Sequence, residues 1–224
     1  MIPPILHLDE RLMVLDKPTS LLTVPGIGPE KADCLASRVQ AVHPEAKIVH
    51  RLDRDTSGVI VMARDAEAHR ELSRQFHDRE TEKTYHALVA GRPEADRGVI
   101  ELPLRKDLEN TPLQIVDHVH GKASLTRWRR TSHGVVGDLD STLASSDADA
   151  TLVIARIELE PKTGRSHQLR VHLKEIGHPI LGDDLYTPDP WRTCVQRLCL
   201  HSSRLWLVHP STGAPMTFHS PPPF

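Results

Sequence analysis

The residues best suited to chemistry lie in one short polar stretch, from His50 to Gly58. Within it, Asp53 stands between Arg51 and Arg54, and neighbouring cations favour the ionised form of a carboxylate. We therefore interpret Asp53 as a candidate reactive carboxylate. The structural alternative is an Asp-Thr-Ser-Gly turn in which the side chain of Asp55 caps backbone amides, because these residue types are common in turns.

The elements around this stretch must position it. An apolar run from Val59 to Ala63 follows Gly58 directly and predicts a buried strand. The polar residues before that run predict a loop, which would deliver charged groups to the edge of the strand.

Length and composition restrict the class of protein. The 224 residues, of which 38% are hydrophobic, suffice for one large or two small domains with a substantial core. The N-terminus shows no secretory signal pattern, and no apolar run is long enough to span a membrane. Cys34, Cys194 and Cys199 fit neither a disulfide framework nor a paired zinc motif. We therefore expect a reducing, cytoplasmic location.

The total charge does not by itself indicate a nucleic-acid partner. The formal net charge is −2, whereas nucleic-acid-binding domains are often strongly basic. Arginines nevertheless cluster, for example at Arg127, Arg129 and Arg130. A local positive face can bind phosphates while acidic residues elsewhere balance the sum.

Hydrophobic periodicity and turn residues predict an α+β fold with a mixed, largely antiparallel sheet, flanking helices and loops. Strands are predicted at residues 5–8, 12–15, 58–63, 84–90, 99–104, 125–130, 151–159, 205–208 and 216–218. Helices are predicted from Asp33 to Val42, from an N-cap at Asp65 to His77, and from an N-cap at Ser166 to Ile176. Residues 134–150 predict an exposed loop. Because no long linker interrupts the chain, we expect residues 1–224 to form a single domain.

Four ordered motifs resemble the RluA family of pseudouridine synthases. They are His50 to Gly58, which matches His-Arg-Leu-Asp-x-x-Thr-Ser-Gly, then Lys83-Thr84-Tyr85, Thr163 to His172, and Gly177 to Asp183. Asp16-Lys17-Pro18 and Val24-Pro25-Gly26 also resemble the family. The similarity spans nearly the whole chain and is greatest to the short members that lack an N-terminal S4 domain. It implies a pseudouridine synthase catalytic domain.

The resemblance assigns roles to three residues. It implies that Asp53 is the catalytic nucleophile, that Arg170 pairs with it, and that Tyr85 lies in the active site and stacks on the target uracil. Whether Asp53 attacks C1′ of the ribose or C6 of the base is open. Tyr85 could also remove the C5 proton, but a phenol with a pKa near ~10 is a poor base at neutral pH.

The RNA partner requires further contacts. A target uridine must leave its helix or loop to reach the aspartate, so base flipping is implied. We interpret Arg51 as an RNA contact that occupies the vacated stack or binds phosphate. Arg165 and His167 either bind phosphate or brace their loop, and the sequence leaves both roles open.

The resemblance also implies the substrates, which are uridines in the tRNA anticodon stem-loop and in a 23S rRNA hairpin. We expect RNA, and neither DNA nor a membrane, to be the partner of a monomer. The isomerisation needs no redox-active group, so we expect no cofactor and no metal.

Two other functions deserve comparison with this one. Asp55-Thr56-Ser57-Gly58 resembles the Asp-Thr/Ser-Gly of aspartic proteases, but those enzymes need two carboxylates that share a proton, and no second copy occurs here. A non-catalytic RNA-binding module on the same scaffold is the other alternative. The joint presence of Asp53, Tyr85 and Arg170 favours an enzyme.

Overall fold

The computed structural model describes all 224 residues, which form two compact units. Unit 1 comprises Met1–Lys83 and His201–Pro222, and unit 2 comprises Thr84–Leu200 and Pro223–Phe224. The strands are β1 (Ile5–Leu8), β2 (Leu12–Lys17), β3 (Lys47–Ile48), β4 (Ser57–Ala63), β5 (Glu82–Ala90), β6 (Arg97–Glu101), β7 (Leu104–Lys106), β8 (Gln114–Val116), β9 (Leu125–Val135), β10 (Val153–Pro161), β11 (Leu200–Val208) and β12 (Pro215–His219). The α-helices are α1 (Leu35–Gln40), α2 (Ala66–His77) and α3 (Gln168–Glu175).

Unit 1 is organised around β4, in which every residue is buried. The strand order is β1-β2-β4-β11, with β12 beside β11 and β3 beside β4. All of these pairs are antiparallel except β4 with β11, which is parallel. The apolar sequence of β4 is typical of a strand covered on both faces. The predicted strand after Gly58 is thereby confirmed.

Helix α2 also follows its prediction. The side chain of Asp65 accepts hydrogen bonds from the backbone amides of Glu67 and Ala68, which is the geometry of an N-cap. Leu72 is fully buried, and Phe76 packs against the core of unit 1.

Unit 2 has an antiparallel sheet in the order β5-β10-β9-β6, and β7 and β8 form a separate two-stranded hairpin. Its core contains buried side chains of β5 and β10 together with Leu169 and Leu173 from α3. Mixed strand pairing in unit 1, antiparallel pairing in unit 2 and three α-helices confirm the predicted α+β class.

Several predicted boundaries are wrong in instructive ways. Helix α1 ends at Gln40, so Val42 is 63% exposed instead of joining the apolar face. The strand predicted at 99–104 is interrupted, because β6 ends at Glu101 and β7 begins after Pro103, and proline cannot donate to a strand ladder.

The segment 134–150 is not wholly an exposed loop. β9 continues to Val135, and a single 3₁₀ turn follows at Val136–Asp138. Val136 and Leu143 are buried in the core of unit 2. Because Val136 and Leu143 lie among small and polar residues, the sequence has no apolar pattern there that would indicate burial.

None of the helices is long and apolar enough to cross a membrane. Cys34, Cys194 and Cys199 are all buried free thiols. Burial raises the pKa of Cys199 to about 12 and also raises the pKa of Cys194.

Candidate active site

The loop that carries Asp53 is held through its backbone by a buried lysine. Lys17, at the end of β2, is fully buried, and its ammonium donates to the carbonyl oxygens of Pro18 at 2.9 Å, Leu21 at 2.7 Å and Arg54 at 2.9 Å. A buried charge is costly unless polar groups compensate it, and three carbonyl dipoles do so here. Lys17 thereby fixes the chain one residue beyond Asp53.

Two threonines fix the chain on both sides of the aspartate. Thr23 Oγ1 donates to the carbonyl of Leu52 at 2.7 Å and accepts from the Leu52 amide at 3.2 Å. Thr19 Oγ1 donates to the carbonyl of Asp55 at 2.8 Å. The carboxylate of Asp53 itself is half-buried and makes no hydrogen bond within unit 1. The backbone is thus fixed while the side chain is left available.

His50, at the start of the loop, is a neutral hydrogen-bond acceptor. The amide of Val61 in β4 donates to His50 Nε2 at 3.1 Å, and the imidazole stacks on Phe76 with 4.2 Å between ring centroids. Burial, with a smaller contribution from the charge of Lys83, lowers the pKa of His50 to about 3. At neutral pH this residue therefore anchors the loop to the central strand without carrying a charge.

Gly58 closes the loop where no side chain fits. Its φ of +110° is unfavourable for other residues, and a Cβ atom there would lie 2.2 Å from the carbonyl oxygen of Ser202 on β11. The glycine of the motif is therefore required by the close parallel approach of β4 and β11.

The other charged side chains of the loop differ in their surroundings. Arg51 is exposed, as an RNA contact must be. Arg54 is exposed and its Nε donates to the carboxylate of Asp55 at 3.0 Å. Asp55 binds this guanidinium and caps no backbone amide, so the structural alternative for the Asp-Thr-Ser-Gly stretch is wrong.

In unit 2, the guanidinium of Arg170 is held by carboxylates. Arg170 is 2% exposed; its Nε donates to Asp183 Oδ2 at 2.7 Å and its Nη2 to Asp183 Oδ1 at 2.5 Å. Nη2 also donates to Asp184 at 3.1 Å. This forked pairing fixes both the position and the plane of the guanidinium. The pairing of Arg170 with Asp53 stays a prediction.

Helix α3 begins at Gln168, and Ser166 is not its N-cap. His167 occupies the cap position with a left-handed backbone, at φ 53° and ψ 17°, and caps no amide with its side chain. The prediction of Ser166 as the N-cap is wrong because a side chain of the helix itself orders the preceding loop. Gln168 Oε1 accepts from the backbone amide of Arg165 at 3.0 Å and from Thr163 Oγ1 at 2.7 Å.

The same carboxamide and the next turn of α3 attach this loop and helix to β9. Gln168 Nε2 donates to Thr126 Oγ1 at 3.0 Å. His172 is fully buried, with Nδ1 at 2.9 Å from Thr126 Oγ1 and Nε2 at 3.0 Å from Ser124 Oγ, and burial lowers its pKa. Arg170 lies between these two anchors, so its backbone cannot shift independently.

The remaining predicted site residues also lie in unit 2. Tyr85, on β5 opposite Leu159, is half-buried and packs against the core. Arg165 Nε donates to the carbonyl of Ala123 at 3.3 Å, and His167 Nδ1 lies 2.7 Å from Tyr186 Oη. Both contacts are of the bracing kind, and a phosphate contact by either residue stays a prediction.

Three residues of the site, Lys17, Asp183 and Tyr186, were not among the predicted ones, although the first two fall within stretches that resemble the family. The adjacent pair Asp183 and Asp184 directly after Gly182 was the available signal, since two consecutive acids in a turn can bind a buried cation. For Lys17, the buried strand that ends on a lysine was the signal.

Comparisons with known proteins show which family this chain resembles over most of its length. The family described as RNA pseudouridylate synthase matches residues 11–175. The chain is 44% identical over 214 residues to a dual-specificity RNA pseudouridine synthase RluA of Yersinia pestis, covering 96% of each chain. It is 44% identical over 220 residues to the protein of the same name from Escherichia coli (strain K12), covering 98% of this chain and 93% of that one.

Solved structures give the same result at the level of the fold. The human protein RNA pseudouridylate synthase domain containing 1 superposes with a TM-score of 0.79 at 25% identity, over 99% of this chain and 84% of that one. The human protein RNA pseudouridylate synthase domain containing 4 superposes with a TM-score of 0.70 at 24% identity, over 98% of this chain and 88% of that one.

Proposed function

The chain belongs to the RNA pseudouridylate synthase family and is a pseudouridine synthase, and on this premise we propose that Asp53 is its catalytic nucleophile. The observation that carries the proposal is the loop around Asp53, whose backbone is fixed on both sides while the carboxylate makes no hydrogen bond within unit 1. A nucleophile needs this combination, because it must be aimed and also free to form a bond.

The bond changes of the reaction require further roles, which we propose for Arg170 and Tyr85. Asp53 forms a bond to C1′ or to C6 of the uridine, and this bond is broken again before the product leaves. Over the whole reaction the N1–C1′ bond breaks, the uracil rotates, C5 bonds to C1′, the C5 proton leaves to solvent and N1 gains a proton. Arg170 pairs with Asp53 and orients its carboxylate. Tyr85 stacks on the uracil.

The RNA is bound by polar and cationic side chains outside the reacting centre. Arg51 contacts the RNA at the position vacated by the flipped base, and Arg165 and His167 contact phosphate. The exposure of Arg51 and the partial exposure of Arg165 and His167 support these roles.

The substrates we propose are uridines in the tRNA anticodon stem-loop and in a 23S rRNA hairpin. The relatives at 44% identity, named as dual-specificity enzymes, support two kinds of RNA substrate. Uridines in loops cost the least to extrude. We further propose that both units act as one catalytic domain, that the enzyme is a monomer, and that it works in the cytoplasm, where these RNAs are.

Tritium release from RNA labelled at uracil C5 tests the assignment. Transfer RNA and 23S rRNA fragments are offered separately to the wild type, Asp53→Asn and Asp55→Asn. Asp55 is the matched control, because it lies in the same loop and its carboxylate makes an exposed ion pair with Arg54 worth at most about 1 kcal/mol. We expect release by the wild type and Asp55→Asn, and none by Asp53→Asn.

Each outcome decides something. Release that survives Asp53→Asn would remove Asp53 as the nucleophile. Tight RNA binding by the wild type without release would favour the non-catalytic module. Release from only one of the two RNAs would overturn the proposed dual substrate range.

A further inference from the structure

One side chain of unit 2, Tyr186, contacts three parts of that unit at once. Its hydroxyl oxygen accepts a hydrogen bond from the backbone amide of Gln114 in β8 at 2.8 Å. The same oxygen lies 2.7 Å from Nδ1 of His167, at the start of α3. Its ring lies beneath the guanidinium of Arg170, with 5.1 Å from Cζ to the ring centroid.

The hydrogen-bond roles at the hydroxyl follow from the donors available. The amide of Gln114 can only donate, so the phenol proton remains for another acceptor. A phenol that donates to Nδ1 makes this nitrogen the acceptor of a neutral imidazole. In that arrangement His167 carries its proton on Nε2.

The backbone of His167 supports a fixed placement of its ring. A left-handed conformation costs a non-glycine residue roughly 1–2 kcal/mol, so surrounding contacts must hold it. The rings of His167 and Tyr186 meet edge to face, with 5.6 Å between centroids and 82° between planes.

The backbone of Tyr186 is tied to the carboxylate that holds Arg170. Asp183 Oδ1 accepts from the amides of Leu185 at 3.0 Å and Tyr186 at 3.1 Å, and it also binds Arg170 Nη2. One buried carboxylate therefore places the tyrosine and the arginine relative to each other.

The β7–β8 hairpin needs an attachment of this kind. It is a separate two-stranded sheet, and such hairpins are marginally stable by themselves. The hydrogen bond from Gln114 to the hydroxyl of Tyr186 attaches β8 to the residues around α3.

We propose that Tyr186 is a positioning residue for the RNA reaction, which acts through its hydroxyl on His167 and the β7–β8 hairpin and through its ring on Arg170. We build on the RNA contact proposed above for His167. The two functions of the side chain are separable, because Tyr186→Phe removes the hydroxyl and keeps the ring, whereas Tyr186→Leu removes both.

Kinetics of tritium release separate a positioning role from a merely structural one. Tyr186→Phe is expected to raise KM for RNA by up to about tenfold, the effect of one lost hydrogen bond, with kcat unchanged. Tyr186→Leu is expected to lower kcat as well. Thr187→Val is the matched control, since it removes a buried hydroxyl that donates to the Ile180 carbonyl at 2.7 Å in the same turn. It should lower Tm and leave KM unchanged.

The double variant Tyr186→Phe/His167→Ala tests whether the hydroxyl acts through the histidine. We expect its KM to lie close to that of His167→Ala alone, because the hydroxyl then has no imidazole to orient and only its hydrogen bond with β8 is lost in addition. Additive changes in KM would overturn this part of the proposal. The same KM in Tyr186→Phe and the wild type would overturn the proposal as a whole.

Nitrogen-15 NMR of the free enzyme gives a readout that needs no activity. We expect the imidazole of His167 to be protonated on Nε2 in the wild type and in Thr187→Val, and to populate both tautomers in Tyr186→Phe. The amide of Gln114 should exchange with solvent faster in Tyr186→Phe. An unchanged tautomer would sink the proposal even if catalysis proceeds as expected. A changed tautomer in an enzyme that releases no tritium would instead count against the proposed function.

Discussion

The loop of Asp53 and the turn around Arg170 hold their charged groups in opposite ways. In the loop, Lys17, Thr19 and Thr23 bind main-chain atoms, and the carboxylate makes no hydrogen bond within unit 1. In the turn, Asp183 binds the guanidinium of Arg170 directly, with two hydrogen bonds.

The difference corresponds to two proposed functions, a nucleophile in the loop and an electrostatic partner in the turn. A nucleophile must form a new bond, so its reacting oxygen has to stay accessible while the chain that carries it is held in place. An electrostatic partner keeps its bonding, so it gains from being held rigidly in advance. We therefore expect substitutions that loosen the loop to reduce activity more than stability, and substitutions that remove contacts in the turn to reduce both.

The largest effect on stability is expected for Asp183→Asn. This change removes the negative charge of the carboxylate that binds the buried guanidinium of Arg170 with two hydrogen bonds, which costs about 3–5 kcal/mol in the free energy of unfolding. Urea denaturation measures the loss. Asp184→Asn is the control, since the side chain of Asp184 is 56% exposed and should lose less than about 1 kcal/mol. Equal losses in the two variants would contradict the assignment of Asp183 as the main holder.

A smaller loss of stability, with a larger loss of activity, is expected for Lys17→Met. The methionine fills the space but leaves the carbonyls of Pro18 and Leu21 without the ammonium, at about 1–3 kcal/mol. Because the chain beside Asp53 loosens, kcat should fall by roughly 10-fold or more. Lys31→Met, at an exposed position, should change neither quantity. A fall in stability with normal kcat would mean that the lysine does not aim the aspartate.

His50→Gln is expected to change how stability depends on pH. The pKa of His50 is lowered to about 3 in the folded chain from 6.5, so between these values the unfolded chain binds a proton that the folded chain does not. Stability therefore decreases as the pH falls from 6.5 towards 3, by at most about 1.4 kcal/mol per pH unit. Glutamine removes this contribution and flattens the acid limb of the curve. His77→Gln, at an 88% exposed side chain, should retain the slope.

The smallest effects, on RNA affinity, are expected for helix α2, which carries one arginine paired with carboxylates and one exposed arginine. Arg74 is paired with Glu71, Asp78 and Glu80, whereas Arg70 is exposed. If this helix faces RNA, Arg70→Ala should reduce the dependence of RNA affinity on salt, by about one unit of slope. Arg74→Ala should reduce it less, because carboxylates already neutralise that charge. The same slope in both variants and the wild type would place RNA elsewhere.

Much of the fold could be predicted because its signals are local. The apolar run of β4 and the Asp65 cap of α2 are each determined by a few consecutive residues. The two consecutive acids Asp183 and Asp184 were visible in the sequence, but their contact with Arg170 was not, because they lie thirteen and fourteen residues further along the chain. The prediction of Ser166 as the N-cap of α3 was wrong for a related reason. The carboxamide of Gln168, within the helix, binds the loop before it, and this contact has no local pattern in the sequence.

The candidate site likewise has a part that the sequence indicates and a part that it does not. Motif resemblance identified Asp53, Tyr85 and Arg170 as candidates, but it could not show that a threonine or lysine elsewhere holds the loop by its carbonyl oxygens. A hydrogen bond to a carbonyl leaves little trace in the sequence of the residue that accepts it.

The buried thiols make the opening of each unit measurable on the intact enzyme. Cys34 lies in unit 1, and Cys194 and Cys199 lie in unit 2. A thiol reagent can modify them only when the surrounding structure opens, so the rate at which each cysteine is alkylated reports an opening equilibrium. The molecule therefore carries three natural reporters, whose rates before and after RNA is added would reveal which unit the substrate stabilises.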